Sequence, residues 1–167
     1  ALRLKKNQIK WFFFASTSHV YKMSKNKLHE KSKLKPYSKY GYTKLLAENY
    51  LKRRFPFRIC IGRIFSVTHP KQHLSYAIPS VFSRIKKCKN KVLFLKNLNH
   101  ERDFCHVNDV CSAINILYLK NLDGVYNIGT SKKVNLKSIA KFFSKKYNKK
   151  IIFDDNLKKT TILSKIN

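Results

Sequence analysis

"YSKYGYTKLLAENYLKRRFPFRICIGRIF", Tyr37 to Phe65, decides the reading of the fold. In its first part Tyr40, Leu45, Leu46, Tyr50 and Leu51 recur at helical intervals, which predicts a helix over Tyr37 to Phe55. Pro56 has no amide hydrogen to give and stops the pattern. "FRICIGRIF", Phe57 to Phe65, then alternates and is rich in isoleucine, as a strand is. Upstream, "IKWFFFAS", Ile9 to Ser16, is a short apolar run ending in small polar residues, expected of a buried strand entering a loop. Strand, helix, strand is the grammar of a parallel sheet, so the chain is assigned to the α/β class.

Between the first strand and the helix, the lysine-rich stretch Lys22 to Lys35 reads as an exposed loop. Beyond Phe65 the pattern is mixed. "YAIPSVFSRIKKC" predicts a helix with Pro79 in its first turns, "KVLFL" a short strand, and "VNDVCSAINILYLK" a helix opened by Asn108 or Asp109. "GVYNIG" and "KIIF" read as strands, and "NLKSIAKFFSKKY" as an amphipathic helix capped by Asn135. A sheet-forming half is expected to join a smaller mixed α/β lobe near Thr68 to Ser75.

The 37 Lys and Arg against 8 Asp and Glu give a net charge of +29, which raises a nucleic-acid-binding module as one function class. Arginine, whose planar fork suits phosphate and base readout, makes up only 7 of those cations, and the lysines run from end to end without forming a tail or stripe. Much of the charge therefore reads as solvated surface, and nucleic acid is not the expected partner. No run of about 18 apolar residues exists, which excludes a membrane-spanning helix. Cys60, Cys88, Cys105 and Cys111 lack C-x-x-C or zinc-ligand spacing, so reduced thiols in a cytoplasmic protein, with no metal, are expected.

Tyr40 and Lys44 stand one helical turn apart, a spacing that lets an ammonium favour phenolate. Spacing alone decides nothing, because a chain this rich in lysine yields one or two such pairs by chance, and Tyr21/Lys25 is a second. Context is more specific. "ASTSHVY" (15 to 21), "YGYTKLLAE" (40 to 48), "GRIFSVTHP" (62 to 70), "RDFCHVNDV" (102 to 110) and "GVYNIGTSKKVNLKSIA" (124 to 140) occur in an order that resembles the extended short-chain dehydrogenase/reductase family, the NAD(P)-dependent nucleotide-sugar epimerases, dehydratases and reductases.

The resemblance implies a partial Rossmann-like parallel sheet, with residues 1–67 in the dinucleotide-binding domain and residues 68–167 mainly a substrate-binding lobe, some segments returning to the sheet. It implies NAD or NADP as cofactor, a nucleotide-diphosphate sugar as substrate and a homodimer in the full-length enzyme. Tyr40 would be the acid-base group at the sugar oxygen, Lys44 would favour its ionised form and bond the nicotinamide ribose, and Thr17 would orient the same oxygen. The alternative for Thr17 is a local turn bond. Phe65 would lie near the nicotinamide. Arg102 would grip the diphosphate, or else pair with Asp103. Ser18, His19 and Ser66 would contact substrate. His19 would either shuttle a proton or be structural. Glu48, two turns beyond Tyr40, reads as a surface or capping residue.

Two departures bear on the reaction and on the sugar, the first narrowing the one and the second leaving the other open. Family members that remove water usually carry Asp-Glu where this chain has Ser18-His19, which disfavours a 4,6-dehydratase and leaves an epimerase or a 4-keto-sugar reductase. Ser66 stands where relatives usually have asparagine, a shorter hydrogen-bonding reach. Gly41, Gly62, Gly124 and Gly129 compose no glycine-rich strand-turn-helix motif. The chain is therefore expected to be the C-terminal part of a longer enzyme, binding NAD(P) weakly or not at all and inactive on its own.

Overall fold

The structure is a computed structural model that describes residues 9–24, 26–55, 57–154 and 160–162, the last three by backbone alone. Strand β1 (Trp11–Thr17) leads through a single 3₁₀ turn, Ser18–Val20, and a long loop to helix α1 (Lys39–Arg54), which returns the chain to strand β2 (Arg58–Ile64). The Ser38 hydroxyl accepts from the Gly41 amide at 3.1 Å and so starts α1. β1 and β2 pair in parallel, from Trp11 opposite Arg58 to Thr17 opposite Ile64. The strand-helix-strand unit anticipated from the sequence is present. Pro56, its expected helix stop, and Lys25, half of the second Tyr/Lys pair, lie outside the described residues.

After β2 follow β3 (Ser66–Thr68), α2 (Ala77–Lys87), β4 (Val92–Lys96), β5 (His100–Arg102), β6 (Phe104–His106), α3 (Val107–Leu119), β7 (Gly124–Ile128), β8 (Val134–Asn135), α4 (Leu136–Lys146), β9 (Lys150–Asp154) and β10 (Thr160–Ile162). β7 pairs in parallel with β2, giving the sheet order β1-β2-β7. Side chains alternate across a strand. Cys60 and Ile64 of β2 join Ile128 and the Val110 and Leu117 side chains of α3 in one apolar cluster, whereas Arg63 meets Glu48 of α1. The two helices thus cover opposite faces of the sheet, as parallel strands require. Gly62 makes the packing on the α3 face possible: a Cβ there would stand 2.4 Å from the Phe13 ring and 2.8 Å from the Ile128 side chain.

A second core gathers Val81 and Ile85 of α2, Leu95 of β4, Leu98, and Leu136 and Ala140 of α4. β4 pairs in parallel with β9, β3 with β6, and β5 lies between β8 and β10. Pro79 sits in the first turn of α2, where a missing amide hydrogen costs nothing. Asn135 caps α4 as expected, accepting from the Lys137 amide at 2.8 Å. No helix among the described residues is long and apolar enough to cross a membrane, and all four cysteines are free thiols.

Several expectations need correction. α3 is opened by His106, whose Nδ1 accepts from the Asn108 amide at 3.2 Å, and not by Asn108 or Asp109. The stripe assigned to α1 is only partly its buried face: Tyr40, Leu46 and Tyr50 are exposed, while Gly41, Glu48 and Leu51 are buried. The loop between Lys22 and Lys35 is not all surface. Leu28 is buried with Val20, Tyr21 and Phe65, and the Glu30 carboxylate accepts from the Asn127 amide of β7 at 2.7 Å.

Candidate active site

The carboxyl ends of β1 and β2 open into a cleft of about 580 Å³, the place where parallel α/β sheets bind ligands. Thr17, Ser18 and Phe65, all buried, line it together with His19, Tyr40, Ser66 and Arg102. Seven residues singled out from the sequence, drawn from four separate segments, therefore meet in one cavity. Lys44 is not in the cavity wall. Its Nζ donates to the Ala15 carbonyl near the end of β1 at 2.9 Å, and it lies 5.1 Å from the Phe14 ring centroid and 5.8 Å from that of Tyr40. The lysine thus ties the first turns of α1 to the strand end beneath Tyr40.

Thr17 makes the local turn bond weighed for it. Its Oγ1 accepts from the His19 amide at 3.3 Å, a local turn bond, and a hydroxyl that accepts there keeps its own proton to donate. His19 faces two tyrosines, with ring centroids 5.1 Å from Tyr37 and 5.8 Å from Tyr40, and its Nδ1 is 3.1 Å from the Tyr37 hydroxyl. Burial, reinforced by the Arg102 charge, lowers the His19 pKa below its ordinary 6.5, so the imidazole is neutral at neutral pH. Burial raises the Tyr37 pKa, against the pull of Arg102, so that phenol keeps its proton.

Glu48 is no surface residue. It is fully buried; its carboxylate accepts from the Arg63 guanidinium at 2.7 and 3.1 Å and from the Ser16 hydroxyl at 2.5 Å. Arg63 also donates to the Tyr21 hydroxyl at 3.0 Å and the Glu30 carbonyl at 3.0 Å, and Tyr21 donates to Asn127 Oδ1 at 2.7 Å. Tyr21 is therefore a structural phenol, held in the core by a polar network that runs from α1 through β2 to β7. Arg102 is paired in sequence with a second anchor. The fully buried Asp103 carboxylate accepts from Thr130 through its amide at 2.8 Å and its hydroxyl at 2.6 Å, and from the Ser131 amide at 2.8 Å. This fixes the loop after β7 against the strand that presents Arg102.

Gln72, Tyr76, His100 and Phe104 also line the cleft and were not foreseen. Gln72 falls in the connection between β3 and α2, a stretch with no periodicity to read, and Tyr76 is the residue just before α2. His100 sits two residues before Arg102, and burial with the Arg102 charge lowers its pKa from 6.5 as well. Its neighbourhood to "RDF" was the one available signal.

Solved structures share this architecture. The chain is 26% identical, with a TM-score of 0.78, to UDP-N-acetylglucosamine 4-epimerase from Methanobrevibacter ruminantium M1 in complex with UDP-N-acetylmuramic acid, covering 96% of this chain and 56% of that one. It is equally similar, 26% identical with a TM-score of 0.78, to UDP-glucuronic acid 4-epimerase from Bacillus cereus in complex with UDP-glucuronic acid and NAD, covering 95% and 54%. RMD from Pseudomonas aeruginosa, complexed with NADPH, shares the fold at 21% identity and a TM-score of 0.82, covering 93% and 57%. The chain thus spans just over half the length of these proteins. The NAD dependent epimerase/dehydratase family matches residues 2–129. That match takes in the strand-helix-strand unit, the cleft-lining arginine and β7, and on it the chain belongs to the NAD-dependent epimerase/dehydratase family.

Proposed function

We propose that the chain is part of an NAD(P)-dependent enzyme acting on a nucleotide-diphosphate sugar, as an epimerase or a 4-keto-sugar reductase, and that the full-length enzyme is a homodimer. One observation carries the reading: Thr17 and Tyr40 share a cleft at the carboxyl ends of parallel strands, with Lys44 tied beneath Tyr40 and Arg102 in the same cavity. The donor set fits the reactive end of a dinucleotide. Lys44 and Tyr40 would hold its ribose and Phe65 would pack near its nicotinamide, and when bound it supplies a two-electron acceptor or donor for a sugar carbon. The pyrophosphate end calls for a glycine-rich turn, which the four glycines of this chain do not form.

In this reading Tyr40 takes the proton from the sugar oxygen or returns it. The Lys44 ammonium, held by the Ala15 carbonyl, favours negative charge developing on the phenol oxygen. Thr17 donates to the same sugar oxygen and orients it. Arg102 binds the diphosphate with a guanidinium suited to two phosphate oxygens, and Ser18 and Ser66 offer short-range hydrogen bonds. Buried Phe65 keeps water from one side of the reacting carbon.

A dehydratase is the second reading, since TunA, a solved structure with the same fold, is named an NAD-dependent NDP-hexosamine 5,6-dehydratase. Eliminating water calls for an acid and a base, and no Asp or Glu is among the described residues lining the cleft. Product analysis separates the two readings, because only elimination yields a product lighter than its substrate by one water. In the full-length enzyme Tyr40→Phe is expected to lower kcat by about 10²–10⁴-fold while leaving sugar-nucleotide affinity nearly intact. Wild-type turnover by that variant would end the proposal.

A further inference from the structure

His19 occupies a position that the family reading sets against substrate without settling its chemistry, and its surroundings are unusually well defined. Its amide is bonded to Thr17 Oγ1, and its ring packs between Tyr37 and Tyr40. Gly41 closes the remaining side: a Cβ there would stand 2.4 Å from the His19 carbonyl oxygen, so the His19 backbone rests directly on the first turn of α1. The imidazole lines the cleft, its Nδ1 is engaged by the Tyr37 hydroxyl at 3.1 Å, and no described residue bonds its Nε2.

We infer that Tyr37 holds His19 as the Nε2–H tautomer, and that His19 is thereby an uncharged hydrogen-bond donor to an oxygen of the bound sugar, a specificity-determining residue with Tyr37 as its positioning residue. A neutral imidazole has one donor and one acceptor nitrogen, and the partner of one decides what the other offers. A phenol donates more strongly than it accepts, so Tyr37 O–H gives its hydrogen to Nδ1 and the ring proton resides on Nε2. The surroundings agree: burial keeps the Tyr37 proton in place, and burial with the Arg102 charge keeps His19 neutral. A neutral donor discriminates among sugar oxygens without competing for the diphosphate, which Arg102 serves. A site built to donate one hydrogen bond disfavours a sugar that lacks the matching acceptor. The ligand class rests on the function proposed above; the tautomer does not.

Histidine-¹⁵N-labelled full-length protein, observed by long-range ¹H–¹⁵N NMR at neutral pH, tests both parts, with His19→Gln identifying the His19 signals by their loss. The wild type is expected to show Nε2–H, and Tyr37→Phe, which removes the hydroxyl and keeps the half-buried ring, to shift the signals toward a tautomer mixture. An Nδ1–H tautomer in the wild type, or signals indifferent to Tyr37→Phe, would overturn the positioning. UDP-glucose is expected to move the Nε2–H resonance and UDP alone to leave it in place. Equal movement with both, or none with UDP-glucose, removes the sugar contact. Tyr40→Phe in the same preparation keeps the failures apart: undiminished turnover sinks the proposed function but leaves the tautomer result standing.

Discussion

Protonating His19 places a second positive charge beside Arg102, in a half-buried ring walled by Tyr37 and Tyr40. His100 is buried in part within the field of the same guanidinium. Both have folded pKa values below 6.5, so in the interval below 6.5 the unfolded chain binds more protons than the folded one. Stability therefore falls as the pH falls through 6.5 toward the folded values, and it is indifferent to these groups above that range. The urea midpoint is expected to drop between about pH 7.5 and 5.5, with a shallower drop in His19→Gln; an identical slope in that variant would remove His19 as the cause. At this scale the meeting of Tyr40, Thr17 and Arg102 in one cleft was legible because each stands in a motif of several residues. Tyr37 was not, because its meaning depends on a histidine eighteen residues earlier that only the fold brings within reach.

α1 carries Tyr40, Lys44 and Glu48 at successive intervals of four, and its three attachments differ in kind: a phenol in the cleft, an ammonium on the β1 carbonyl, and a buried carboxylate on Arg63. The last sets the helix against β2. Removing one partner of a buried pair strands the other charge, so Glu48→Ala is expected to cost about 3–5 kcal/mol, read as a lowered urea midpoint. Glu48→Leu combined with Arg63→Met should recover most of that loss, since both charges leave together. If the double variant is as unstable as the single one, packing and not charge explains the site. The long elements were readable because an eleven- to sixteen-residue helix repeats its pattern. Strands of two or three residues, such as β3, β5, β6 and β8, are too short to show alternation, and they are fixed by pairing with distant partners. Glu48 misled for a related reason: an ionisable side chain is buried only when paired, and Arg63 lies on another element.

For the molecule as a whole, 37 Lys and Arg against 8 Asp and Glu leave a charge of +29, so most cations lack an acidic partner even where ion pairs such as Arg63–Glu48, Lys96–Asp154 and Lys133–Glu101 form. So lopsided a surface attracts any polyanion at low ionic strength. For an enzyme of nucleotide sugars, affinity for a random DNA duplex is expected to be lost by about 0.15 M salt, following the steep dependence of counterion release. Binding at about micromolar or tighter that survives at that salt would favour the nucleic-acid class instead. The network tying the loop before α1 to β7 has a consequence in time. Asn127 bonds Tyr21, Leu28 and Glu30 across separations of 97 to 106 residues, so these contacts have no partner while a ribosome is still making α2 or α3. Local units of a nascent chain form ahead of such distant closures. The β1-α1-β2 unit is complete in sequence some sixty residues before β7 emerges, and the contacts of Tyr21, Leu28 and Glu30 with Asn127 close only when that late strand arrives.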